Sequence, residues 1–128
     1  MEIDPGASVN LLTLKTLRAL ALDVQYLDKS KVFLQGFNDQ GQRTLGSLVL
    51  PIQFGELYTE ARFHVIEADV SYRALLGRPW IHEYGIIPST LHQCMKYIQN
   101  GEECRIDGDI NPFLVHEIDP FAQLDYLR

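Results

Sequence analysis

The chain has 128 residues, 46% of them hydrophobic and 22% charged, which excludes a disordered chain and fits one small globular domain. Its 11 Lys and Arg against 17 Asp and Glu leave a net charge of −6. That balance argues against nucleic acid as the main partner, because phosphate contacts need clustered cations.

No apolar run reaches membrane-spanning length, and no leader-like segment opens the chain. The cysteines Cys94 and Cys104 make no disulfide framework. A reducing compartment is therefore expected, cytoplasmic or nuclear, with a chain that is neither secreted nor membrane-bound.

The first punctuation is Asp4-Pro5-Gly6, followed by the small residues Ala7 and Ser8. Read locally, Asp-Pro-Gly is a tight turn. Only Met1, Glu2 and Ile3 precede it, so a strand ending at Ile3 reads as the remnant of a longer one. Leu11, Leu14, Leu17, Leu20 and Ala21 then recur at helical spacing, with Lys15 and Arg18 between them. This predicts a short amphipathic helix with Ser8 or Asn10 as its cap.

Two β-rich runs, Lys31–Phe37 and Arg43–Phe54, flank the polar Asn38-Asp39-Gln40-Gly41-Gln42 and predict a hairpin. Pro51 requires an edge or bulge position in the second run. Gly55-Glu56 turns the chain into a further strand, with Ala61, Phe63 and Val65 on one face, extended to Tyr58. Ala74-Leu75-Leu76 reads as a buried strand end closed by Gly77, and Pro79 suits the first turn of a short helix carrying Trp80 and Ile81. Asn100-Gly101 between two strand-like runs is a strong hairpin signal. The fold class is mainly β with two short helices, over residues 1–109. Residues 110–128, with two prolines and scattered aromatics, read as a linker or flexible extension.

This order of elements resembles the retropepsins, the aspartic proteases of retroviruses and retrotransposons. Within them it is similar to the protease region of plant gypsy-type LTR-retrotransposon polyproteins. Three stretches carry the likeness, within roughly Ile3 to Ile106: "IDPGASVNLL", the central hairpin, and "LLGRPWIHEYGIIPSTLHQCMKYI". The resemblance implies an acid-protease half-barrel whose N-terminal strands are absent, and an endopeptidase that cuts a retroelement polyprotein as a homodimer with one Asp per chain. It assigns catalysis to Asp4 and the active-site loop to Pro5, Gly6, Ala7 and Ser8. It places a flap at Phe37, Asn38, Asp39, Gln40 and Gly41. Leu75, Leu76 and Gly77 become the support behind the loop, with Gly77 at a crossing too close for a side chain. The expected partners are a second copy of the chain and a polypeptide substrate. No cofactor is implied.

The family loop usually has Thr or Ser after the Asp, where this chain has Pro5, which carries neither a hydroxyl nor an N–H. Pro5 and the short lead-in keep a second reading open: a retrotransposon-derived, inactive module that binds peptide or dimerises. Other chemistry finds little support. His64, His82, His92 and His116 with the cysteines form no metal spacing. Ser89, Thr90 and His92 lie too close in sequence, without an acid, to make a nucleophilic triad.

Overall fold

The computed structural model describes residues 1–29, 32–35, 41–89, 94–107 and 112–117. The expected flap residues 37–40, His92 and most of the expected extension lie outside this set.

The main sheet has six strands in the order β1-β7-β2-β6-β5-β11. These are β1 (Glu2–Ile3), β2 (Asn10–Thr13), β5 (Gly46–Phe54), β6 (Leu57–Ile66), β7 (Ala74–Leu76) and β11 (Phe113–Leu114). Two small satellites accompany it. One is the pair β3 (Phe33–Leu34) and β4 (Gln42–Arg43); the other is β8 (Ile87–Ser89), β9 (Cys94–Gln99) and β10 (Glu102–Asp107). The helices are α1 (Leu14–Ala19) and α2 (Arg78–Glu83).

β5 and β6 form a long hairpin closed by Gly55, whose φ of +59° suits glycine. Leu57, Thr59, Ala61, Phe63 and Val65 alternate inward. Tyr58 is of the opposite parity and 66% exposed, so it does not join the inner face as the sequence pattern had extended it. Inward residues of β5 and β6 meet Leu12, Leu17, Leu76 and Trp80 in one core. Burial of each large apolar side chain there contributes roughly 1.5–3 kcal/mol. Trp80 is fully buried; its indole N–H donates to Thr59 Oγ1 at 2.8 Å and its ring meets Phe54 edge-on at 5.6 Å. Burying an indole therefore leaves no orphan donor.

The α2 helix starts at the expected proline, and β9–β10 turn at Asn100 and Gly101, both with positive φ.

Three local expectations are corrected. The first helix does not begin near Leu11. Residues 10–13 are all buried and form β2, parallel to β6 and antiparallel to β7. The helix starts only at Leu14, capped by Thr13, whose Oγ1 accepts the Thr16 N–H at 3.2 Å. Ladder bonds on both sides outweigh the helical preference of Leu11 and Leu12, since intrinsic propensity is readily overridden by tertiary context.

β3 and β4 pair antiparallel as the hairpin expectation has it, but the second β-run, 43–54, is not one continuous strand. Among the described residues β3 and β4 share two pairs, and the strand is interrupted at Thr44–Leu45 before β5 pairs with β6. Thr44 ties the break, its N–H donating to the Val32 carbonyl at 2.8 Å and its Oγ1 accepting the Val32 N–H at 2.8 Å. Pro51 stands where β11 no longer reaches, since β11 pairs only with Ile52 and Gln53.

Finally, residues 112–117, read from sequence as linker or flexible extension, dock on the sheet. Leu114 is 1% exposed and His116 6%. Leu114 gains from leaving water, His116 keeps a hydrogen-bond partner in the Leu20 carbonyl, and the strand gains the open edge of β5.

Candidate active site

Asp4 follows directly on β1, which runs parallel to β7 with Glu2 opposite Leu75 and Ile3 opposite Leu76. The Asp4 N–H continues that ladder, donating to the Leu76 carbonyl at 2.9 Å. Ala7 N–H then donates to the Asp4 carbonyl at 3.1 Å, which closes the turn, and Gly6 N–H donates to Asp4 Oδ1 at 2.8 Å. The carboxylate is thus oriented by its own loop. A Cβ on Gly6 would lie 3.1 Å from that oxygen, so only glycine leaves the approach comfortable.

The chain leaves the loop into β2, and β7 threads between β1 and β2. At its end Gly77 passes directly beneath the loop. A Cβ there would stand 2.4 Å from the Val9 carbonyl oxygen and 2.7 Å from that of Ala7. Bonds fasten the crossing from both sides. Arg78 N–H donates to Ala7 O at 2.9 Å, and Gly77 N–H donates to Asn10 Oδ1 at 2.8 Å. Asn10, 2% exposed, spends its amide N–H on the Arg62 carbonyl at 3.0 Å. Leu75 and Leu76 are both buried behind the loop.

In front of the loop is a cleft of about 660 Å³. Asp4, Gly6, Ala7 and Ser8 form one wall and residues 32–35 the facing one. Leu11, Tyr72 and Leu75 also line it. Phe33, on the facing wall, is 50% exposed. Beneath lies a second apolar cluster of Leu11, Ile66 and Leu75, against which Ala7, Val9, Leu34 and Tyr72 pack. Ser8 is exposed and makes no hydrogen bond to another described residue; Pro5 is exposed as well. Of the expected flap, Gly41 is described: its φ is +78°, in β4's approach to Phe33.

Two residues of this site carry no mark of their role in the sequence. The helical pattern offers Asn10, or Ser8, as a cap, and only the tertiary crossing makes Asn10 a clamp. Tyr72 had no motif to mark it. Burial pushes its phenol pKa up, and the negative charges of Glu2 and then Asp4 push it further, which puts the ring within electrostatic reach of the carboxylate. Among the described residues no group of three His, Cys, Asp or Glu side chains is placed to hold a metal.

A curled half-barrel sheet, two short helices and an Asp-x-Gly loop locked over a crossing strand together define a retropepsin-like fold. Among solved structures, the chain is similar to the crystal structure of the retroviral protease-like domain of Ddi1 from Leishmania major, with a TM-score of 0.59 and 18% identity over 84% of this chain and 83% of that one. At that identity the likeness is one of fold. No protein-family model matches the sequence, and no curated protein does. Among the described residues no helix is long and apolar enough to cross a membrane.

Proposed function

We propose that this chain is an aspartic endopeptidase that hydrolyses a polypeptide as a homodimer, with one Asp4 from each protomer. The observation that carries this reading is the Asp4 carboxylate, oriented by Gly6 N–H and lining a cleft of about 660 Å³. Two carboxylates brought within a few ångströms across a two-fold axis share one proton, because both cannot ionise together. The ionised one takes a proton from a water, and the protonated one polarises the scissile carbonyl. No covalent intermediate forms. The two-residue strand β1 supports the dimer, since among the described residues it is an edge strand next to Asp4. The sequence likeness over Leu75–Ile98 favours a plant gypsy-type retroelement polyprotein as the substrate.

A second reading keeps the same cleft without turnover: an extended peptide bound by strand pairing at a retroelement-derived module. Pro5 favours it, because an exposed residue beside Asp4 offers neither N–H nor hydroxyl to a partner loop. Cleavage of a peptide library at acid pH decides between the two. The peptidase reading expects pepstatin-sensitive turnover that falls by at least about 10²-fold in Asp4→Asn. Equal cutting by both chains overturns it.

A further inference from the structure

The proposed reaction uses nothing from residues 112–117, yet they are tied to the loop that lines the Asp4 cleft. β11 holds this strap to β5, and Leu114 anchors it in the core. His116 is bonded through Nε2 to the carbonyl oxygen of Leu20, the residue that ends α1. Glu117 reaches the Arg73 guanidinium at 3.2 Å. The Arg73 backbone is held from the other side, its carbonyl accepting the Thr13 N–H at 3.2 Å and the Thr13 hydroxyl at 3.3 Å. Thr13 is the N-cap of the same α1. Strap, helix and the loop before β7 therefore close a ring around a groove of about 670 Å³. Tyr72, next to Arg73, lines both this groove and the cleft of Asp4.

We propose that Glu117 and His116 are positioning residues: by holding Arg73 and the end of α1, they set where the Tyr72 ring stands in the Asp4 cleft. The functional meaning of that placement rests on reading the cleft as the substrate site. Residues 67–73 have no strand partners among the described residues, so beyond the packing of Ala68 and Tyr72 on the Leu11 cluster their course is set by the bonds at Arg73. The Glu117–Arg73 pair is solvent-exposed on the arginine side, with 69% of that side chain accessible. Such a pair contributes little to global stability. It still fixes a direction, so its loss is expected to move Tyr72 without unfolding the chain.

The groups whose charge bears on Tyr72 are Glu2 and Asp4. Removing the Asp4 charge therefore lowers the titration midpoint of the Tyr72 phenol, by an amount that depends on how near the ring stands. The test follows tyrosine titrations by NMR on ring-labelled chains, with Tyr72 assigned by Tyr72→Phe. Wild type, Asp4→Asn, Glu117→Gln and the Asp4→Asn/Glu117→Gln double variant are compared, and His116→Ala gives a stronger perturbation of the strap. The expected result is a smaller drop from Asp4→Asn in the Glu117→Gln background than in the wild-type one. An equal drop in both backgrounds, with amide spectra showing an intact fold, overturns the proposal. No turnover is needed, so the result stands whether or not the chain cuts peptides. If it does cut, the effect of Glu117→Gln on kcat/KM disappears in the Tyr72→Phe background, which a merely structural role would not produce.

Discussion

Asn10 accepts the Gly77 N–H at 2.8 Å, and so joins the residue that enters β2 to the residue that ends the strand crossing beneath the Asp4 loop. Both of its polar ends are used, the amide donating to the Arg62 carbonyl. In a position 2% exposed, water cannot replace either partner.

Asn10→Ala leaves the buried Gly77 N–H without an acceptor. A loss of about 1–3 kcal/mol in unfolding free energy is expected from denaturant titration. A variant as stable as wild type would show that the clamp is dispensable.

Gly77→Ala tests the crossing itself. The added methyl meets two backbone carbonyl oxygens, which cannot swing aside as a flexible side chain would. The cost is expected at about 1–3 kcal/mol or more, with the Asp4 loop displaced. Gly101→Ala is the control. Its φ of +79° carries strain of about 1 kcal/mol, but nothing lies within 4 Å of the new methyl. Gly101→Ala destabilising the chain more than Gly77→Ala would refute the crowding argument.

Pro5→Ser adds a hydroxyl and a backbone N–H beside Asp4. On the peptidase reading these bond the loops of two protomers to each other. One added bond of about 1 kcal/mol corresponds to roughly fivefold tighter dimerisation, read by sedimentation, with kcat/KM rising alongside. Weaker association or slower cutting in Pro5→Ser would count against a loop-to-loop dimer.

His64 sets a pH dependence of the fold. Burial, and then the Arg62 charge, lower its pKa below the ordinary 6.5, and its Nδ1 is buried without a partner among the described residues. The unfolded chain therefore takes up the proton first as pH falls. The stability associated with neutral His64 is present above about pH 6.5 and is lost progressively as pH drops from there towards the lower folded value. His64→Gln is expected to flatten that part of the Tm-against-pH curve relative to wild type. Parallel curves for the two chains would remove His64 from the account. The dependence matters because the proposed chemistry favours acid, where this contribution is absent.

The mainly β fold class and several local turns are legible in the sequence alone. Asp4-Pro5-Gly6, Pro79 at the start of α2 and the Asn100-Gly101 turn are written in residue types with few conformational options. Their local structure follows from sterics within a few bonds, and so sequence by itself determined it. The cap of α1 is not among these: the pattern points to Ser8 or Asn10, whereas Thr13 caps the helix once β2 has claimed residues 10–13.

Tertiary structure alone decided the rest. Residues 10–13 are a strand because β6 and β7, more than fifty residues away, supply ladder bonds on both sides. β5 leaves β4 for β6 because Gly55 brings that longer partner back alongside it. The strap at 112–117 and the arrival of Tyr72 beside Asp4 depend on groups distant in the chain. Such bonds are chosen by what else is unpaired and buried nearby, which no window of sequence contains.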